Sequence, residues 1–300
     1  MADWPTEMLL AAKRDTRVSV VLPALDEAAT VGRIVAAIRR DLVLRRPLVD
    51  ELLVMDSGST DDTMAVAAAA GATVVRREDV LPDLPPHPGK GEVLWRSLAA
   101  TTGDVIVFVD SDLTDFTPSF VTGLLGPLLT DPGVHFVKAT YDRPLRSGDT
   151  ELPAGGGRVT ELVARPLLAL HWPQLSGFVQ PLGGEYAARR SLLEVVPFPC
   201  GYGVEFGLLV DALAEVGLDG MAQVDLSRRK HRNSDLQMLG RMAIEILQVA
   251  EARLGRPVRP PVELTQYARS GAGYRLVDTD MTEQERPPML TMQEYRRRRL

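Results

Sequence analysis

A single cysteine, Cys200, stands among 300 residues, which rules out an intrachain disulfide and points to a reducing compartment. No apolar run approaches the roughly 18 uncharged residues that a membrane-spanning helix needs. The N-terminus, MADWPTEMLLAAKRD, carries acids early and has no long apolar core, so it does not read as a signal peptide. Basic excess is also absent: the formal net charge is −6, which argues against a general nucleic-acid binder. The one basic cluster, Arg296-Arg297-Arg298-Arg299, is local and reads as a solvated tail. There is no internal repeat, and no low-complexity linker beyond a proline-rich stretch at residues 81–88.

Two common phosphate motifs are missing as well. A dinucleotide fold would place Gly-x-Gly-x-x-Gly after the first apolar run, where this chain has Leu22-Pro23-Ala24-Leu25-Asp26-Glu27. The Walker pattern Gly-x-x-x-x-Gly-Lys-Ser/Thr fails around Lys90, with Leu84 in place of the first glycine and Gly91 in place of the hydroxyl residue. Hydride transfer on a dinucleotide and P-loop NTP hydrolysis are therefore both disfavoured.

What is present is the composition of an ordinary globular α/β protein, 45% apolar and 25% charged. The length allows one large domain, or one domain with an appended lobe. Apolar runs at residues 18–22, 51–55, 73–75 and 105–109 predict strands. They alternate with helical patterns at residues 27–42, 60–70 and 90–100. That order implies a Rossmann-like, mostly parallel sheet flanked by helices, with right-handed crossovers. Further on, residues 120–129, 158–170, 191–196, 205–216 and 236–254 read as helices and residues 134–140 as a strand. Residues 146–153 have the polar composition of a mobile loop. Beyond Gly255 the prolines and charges predict an extended tail that wraps the body or mediates self-association.

The most informative stretch is Val105-Ile106-Val107-Phe108-Val109-Asp110-Ser111-Asp112. A strand buried on both faces gives way at once to two carboxylates. The carboxyl end of a parallel strand opens into the crevice where α/β sheets bind ligands. Paired carboxylates there suit a hard divalent cation that in turn holds phosphate oxygens. Because Asp and Ser are also favoured turn residues, the pair taken alone reads equally as a strand-end turn. Residues 155–157 are three glycines before a helix, which leaves free N–H groups at an anion-attracting terminus. Arg158 adds a cation that the helix dipole does not favour, which makes sense if an anion sits between them.

Three motifs, Val-Val-Leu-Pro-Ala-Leu-Asp-Glu, Met-Asp-Ser-Gly-Ser-Thr-Asp-Asp and Val-Asp-Ser-Asp, resemble those of nucleotide-sugar glycosyltransferases of the GT-A fold. More narrowly, Pro88-Gly89-Lys90-Gly91-Glu92, the segment Gly155-Gly156-Gly157-Arg158-Val159-Thr160-Glu161-Leu162, His231-Arg232-Asn233 and Arg286-Pro287-Pro288-Met289 resemble glucosyl-3-phosphoglycerate synthases. One departure is Asp26, where that family is expected to carry Asn.

The resemblance implies a fold and a set of roles. The chain would have a GT-A-type α/β fold with a nucleotide-sugar half at residues 15–140. An acceptor-binding and helical half would follow at 141–255, then the tail at 256–300. The donor, UDP-glucose, would meet Pro23, Ala24, Leu25, Glu27, Ser57, Lys90, Asp110, Ser111, Tyr202, Glu205, Arg229 and Arg232. Mg²⁺ or Mn²⁺ would be held by Asp112 and His231, and the acceptor, 3-phosphoglycerate, by Gly157, Arg158, Thr160 and Asn233. Asp112 and Glu205 would carry the catalytic roles, Glu205 by orienting the sugar and not as a nucleophile. Without the resemblance, Glu27 reads at least equally as a first-turn acid, and the favoured readings are a solvated lysine on a flexible Gly-Lys-Gly segment for Lys90 and an amphipathic-helix acid for Glu205.

The implied enzyme is a cytoplasmic, homodimeric, retaining hexosyltransferase. Its product would be glucosyl-3-phosphoglycerate, a precursor of glucosylglycerate and of methylglucose polysaccharides. Three rivals remain open: a mannosyl-3-phosphoglycerate synthase using GDP-mannose, a polyprenyl-phosphate sugar transferase, and a non-catalytic nucleotide-sugar sensor.

Overall fold

The computed structural model describes residues 4–142, 145–147, 150–152, 157–228, 235–271 and 273–299. After helix α1 (Thr6–Lys13), strands β1 (Val18–Ala24), β2 (Glu51–Asp56), β3 (Thr73–Arg76) and β4 (Val105–Phe108) form where the apolar runs predict them. Helices α2 (Val31–Ile38), α3 (Thr63–Ala70) and α4 (Lys90–Ala100) connect these strands. All pairings among the four strands are parallel. Gly71, with φ at +98°, ends α3 in the left-handed conformation that glycine adopts without strain.

The second half of the chain completes the same sheet. Helix α5 (Ser119–Thr130) leads into β5 (Phe136–Asp142), and the short strands β6 (Leu145–Ser147) and β7 (Thr150–Leu152) pair as a hairpin. That pairing replaces the mobile loop expected over residues 146–153, although 148, 149 and 153 lie outside the described residues. A helical stretch from Arg158 passes through a π-turn, Thr160–Ala164, into α6 (Arg165–His171). Strand β8 (Tyr186–Arg189), α7 (Arg190–Leu193), β9 (Phe198–Pro199), α8 (Val204–Val216), β10 (Met221–Arg228) and α9 (Leu236–Arg253) follow.

The central sheet runs β10-β5-β8-β4-β1-β2-β3. Only β8 runs antiparallel to its neighbours, β4 and β5, so the sheet is mostly parallel as expected. Alternate residues of each strand face two separate cores. Val21, Phe108 and Tyr186 pack with Trp95 and Phe206 on one side, while Val20, Val107 and Ala187 pack with Ile34 and Leu124 on the other. Covering both faces is why β1 and β4 read as continuous apolar runs.

Two expectations are corrected. The helix predicted over residues 27–42 is α-helical only from Val31, and ends in a π-turn, Arg39–Leu44. Its expected first turn is drawn away because three successive amides are captured by the loop after β2. Asp26 N donates to Ser59 Oγ, Glu27 N to Thr63 Oγ1 and Ala28 N to Asp61 Oδ2. The tail is not merely extended: β11 (Glu263–Ser270) and β12 (Gly273–Asp280) form an antiparallel hairpin. Strand β13 (Glu285–Arg286) then pairs with β9, and α10 (Gln293–Arg299) closes the chain. The tail does wrap the body. Arg286 bonds the buried Glu92 carboxylate at 2.6 and 2.8 Å, and Trp95 Nε1 donates to the Pro287 carbonyl at 2.9 Å.

Candidate active site

The carboxyl ends of β1, β2 and β4 open into one cavity of about 430 Å³. Pro23, Ala24, Leu25 and Glu27 line it from the end of β1, and Ser57 from the end of β2. Gly89, Lys90 and Val93 enter from the start of α4, Asp110, Ser111 and Asp112 from the end of β4, and Tyr202 from the turn before α8. Of the ten donor residues proposed from sequence that are among the described residues, nine line this cavity. Glu205 is not on the lining; it lies just behind, in the first turn of α8, and meets the cavity through Lys90. Arg229, His231, Arg232 and Asn233 lie outside the described residues.

Short polar contacts fix the rim. Asp26 adopts φ +56°, a left-handed conformation that Asn and Asp tolerate better than most residues. Its carboxylate accepts from Thr60 N at 2.7 Å, tying the end of β1 to the loop after β2. An acid can thus serve where Asn was expected, since the role uses an acceptor oxygen and a left-handed backbone. Asp56 accepts from Gly58 N at 2.9 Å and Ser59 N at 3.1 Å, which shapes the turn carrying Ser57. Ser57 N in turn donates to the Ala24 carbonyl at 2.9 Å. Ser111, 3% exposed, donates from its hydroxyl to the Pro23 carbonyl at 2.7 Å. Asp110 and Asp112 both line this cavity. β4 ends at Phe108 and the backbone has turned by Ser111.

Lys90 differs most from its sequence reading. Its ammonium bridges Asp110 at 2.5 Å and Glu205 at 2.8 Å, so it is pinned and does not swing. Burial alone would lower its pKa, but Asp110 and Glu205 outweigh burial and hold it well above the ordinary value. The flanking glycines serve close approach instead of flexibility. A Cβ on Gly89 would meet the Cys200 carbonyl, and one on Gly91 the Pro199 carbonyl. Gly184 does the same on the other side, where a Cβ would lie 2.3 Å from an Asp110 carboxylate oxygen.

The turn before α8 is held from the tail and from α9. Gly201 N donates to Glu283 at 2.8 Å and Tyr202 N to Glu245 at 2.5 Å. Burial, with the neighbouring Glu245 adding to it, pushes the Glu283 carboxyl up to about 7. Sequence reasoning missed Gly184, Glu245, Glu283 and the buried Lys138; each is a lone residue whose partner is distant in the chain.

The metal and acceptor residues are only partly described. Among the described residues no three His, Cys, Asp or Glu side chains converge as a metal site. Asp112 contributes a carboxylate to a polar cavity wall, a donor that suits Mg²⁺ or Mn²⁺. Asp110, by contrast, is ion-paired with Lys90. Gly157, Arg158 and Thr160 are described but do not line the cavity. Gly157 has φ +76° and its carbonyl accepts from Glu161 N at 3.0 Å, while Thr160 is buried. The π-turn that begins at Thr160 packs on α9, the helix that follows residues 229–234. The described acceptor residues, Gly157, Arg158 and Thr160, thus lie on one segment that packs on α9.

Comparison with known proteins places this geometry. Residues 19–152 match the family model for glycosyl transferase family 2. The chain is 55% identical to glucosyl-3-phosphoglycerate synthase of Mycolicibacterium smegmatis over 96% of this chain and 94% of that one. It is 44% identical to the protein of the same name from Petrotoga mobilis, over 96% and 90%. A crystal structure of the Mycobacterium tuberculosis synthase in complex with Mn²⁺, UDP and phosphoglyceric acid superposes with a TM-score of 0.88. That match has 48% identity and covers 98% of this chain and 97% of the other. Identity at this level along nearly the whole length, on a GT-A-type sheet with the donor motifs gathered at its carboxyl edge, means that this chain belongs to the glucosyl-3-phosphoglycerate synthase family.

Proposed function

We propose that the chain transfers glucose from UDP-glucose to 3-phosphoglycerate, with retention at the anomeric carbon. The observation that carries this reading is the single cavity at the carboxyl edge, which gathers donor-type residues from β1, β2, α4, β4 and the turn before α8. The relatives are named glucosyl-3-phosphoglycerate synthase, and one structure of the M. tuberculosis protein holds Mn²⁺, UDP-glucose and phosphoglyceric acid together.

In this reading uridine lies over Pro23, Ala24, Leu25, Glu27 and Ser57, and the sugar extends toward Asp110 and Glu205. Glu205 accepts glucose hydroxyls, and Lys90 fixes it against Asp110 at hydrogen-bond distance from both. Asp112, with His231, would hold a divalent cation whose chemistry is to stabilise charge on the departing UDP. Gly157, Arg158, Thr160 and Asn233 hold the acceptor's phosphate, and Arg229 and Arg232 flank the diphosphate. The acceptor oxygen bonds to the anomeric carbon on the face that UDP leaves, and its proton passes to the diphosphate.

The setting is cytoplasmic, as the lone buried thiol of Cys200 suits. The working unit is a homodimer built on the exposed face of the β11–β12 hairpin. Tyr267 and Tyr274 there are 64% and 68% exposed, more than a monomer's surface tyrosines need be. A solution mass of one chain would overturn that assembly.

The test is product structure. Incubation with UDP-glucose, 3-phosphoglycerate and Mg²⁺ or Mn²⁺ should give an α-linked glucosyl product by NMR, with GDP-mannose run in parallel. A β linkage would contradict retention, and preferential use of GDP-mannose would contradict the sugar.

A further inference from the structure

Lys138 lies in the middle of β5 with no exposed surface, an unusual place for an ammonium group. Its cross-strand partner on β8 is Tyr186, whose own partner on β4 is Phe108. The ammonium stands 4.7 Å above the Tyr186 ring and donates to the Gly183 carbonyl at 2.6 Å. An apolar side chain would fill this row without the desolvation an ammonium suffers, so the charge calls for an electrostatic role. Burial pulls the amine down to about 8, and the carboxylates of Glu205 and Glu185 act against that fall. Glu205 and Lys90, themselves ion-paired at 2.8 Å, both act on the Lys138 amine, Glu205 raising its pKa and Lys90 lowering it.

The residue after the Gly183 carbonyl is Gly184. A Cβ there would come within 2.3 and 2.4 Å of the two Asp110 oxygens and 2.5 Å of Lys90 Nζ. The backbone that Lys138 grips is thus the wall against which Asp110 and Lys90 rest. The uridine end of the cavity is formed by other elements, residues 23–27 at the end of β1 and Ser57 at the end of β2.

We infer that Lys138 is a positioning residue for the sugar end of the donor site. Through the Gly183 carbonyl it holds the Gly183–Gly184 backbone against Asp110 and Lys90, and so sets the spacing between Asp110 and Glu205. The inference rests on the assignment of Asp110 and Glu205 to the transferred sugar. It makes Lys138 matter for UDP-glucose and not for UDP.

The test compares the wild-type protein with Lys138→Met in two measurements, calorimetric binding of UDP with Mn²⁺ and steady-state turnover of UDP-glucose with 3-phosphoglycerate. Losing a charge-assisted bond to the wall should lower kcat/KM for UDP-glucose by about 10- to 100-fold. The Kd for UDP and the KM for 3-phosphoglycerate should stay within about threefold of wild type. If Lys138→Met gives no folded protein, Lys138→Arg keeps the charge but moves the nitrogen off the Gly183 carbonyl, and is judged by the same split. Wild-type turnover in the folded variant, or parallel loss of UDP binding and turnover, would overturn the inference. A wild-type protein that binds UDP but never turns over UDP-glucose with 3-phosphoglycerate would instead overturn the proposed function.

Discussion

Asp110 and Asp112 are one residue apart, yet the fold gives them different work. Asp110 is ion-paired with Lys90 at 2.5 Å, whereas Asp112 is the carboxylate proposed for the metal. Asp112→Ala should therefore lower metal-dependent kcat by about 10³ or more, the scale lost when charge stabilisation at a reacting centre is removed. A titration with Mn²⁺ that restores wild-type turnover in this variant would count against that role. Arg158→Ala should raise the KM for 3-phosphoglycerate by about 10- to 100-fold, the worth of a charge-assisted hydrogen bond, and leave the KM for UDP-glucose nearly unchanged. Equal effects on both would break the link between Arg158 and the acceptor's phosphate. At this scale the residues legible in the sequence were those at strand ends within motifs, such as Pro23, Ser57 and Asp110. Lys138, Glu245 and Glu283 were not, because each looks like an ordinary solvated charge until chain segments distant in sequence cover it, Lys138 fully and the two acids partly.

Elements transmit order to the site through the tail. Glu92, fully buried in the first turn of α4, accepts from Arg96 at 2.6 Å and from Arg286 at 2.6 and 2.8 Å. Removing Arg286 leaves that carboxylate short of a partner and frees β13 from α4, whose first residue is Lys90. Arg286→Met should destabilise the protein by about 3 kcal/mol, the lower end for breaking a buried pair, visible as a lower denaturation midpoint. An unchanged midpoint would show that Arg96 alone suffices. Glu283 makes the tail's grip pH-dependent. Its carboxyl is raised from the usual 4.5 to about 7, so the folded state holds this proton more tightly than the unfolded one. Its contribution to stability is present in full below the unfolded value and is lost as pH rises through about 7. Glu283→Gln should flatten the fall in Tm between about pH 5 and about pH 8, with the larger gain at the alkaline end. A variant whose Tm tracks wild type across that range would contradict it. The hairpin in this tail did leave a signal, alternating residues on both sides of Ser-Gly-Ala-Gly at 270–273, but the surrounding prolines and charges outweighed it.

Over the whole molecule, the first four strands and their helices were legible because each strand is apolar, buried on both faces and closed by a turn. The sheet's other side was less so. β8 is only four residues, Tyr186–Arg189, and β10 mixes Gln223 and Asp225 into its apolar residues, so neither shows a strong period. Yet β8 joins the two halves, pairing β4 on one side and β5 on the other, and it carries Tyr186 beneath the site. The helical segment proposed for the acceptor packs through Val159, Ala164 and Leu168 into the same core as Phe108 of β4 and Tyr186 of β8, an arrangement that would hold a phosphorylated acceptor and a nucleotide sugar in fixed relation. That relation is the central claim, and UDP release from UDP-glucose tests it most directly, measured with Mg²⁺ and either 3-phosphoglycerate, glycerate or no acceptor. The account predicts rapid release only with 3-phosphoglycerate, because only that acceptor engages the site assigned to Arg158. Release that is as fast with glycerate, or absent with all three, would contradict it.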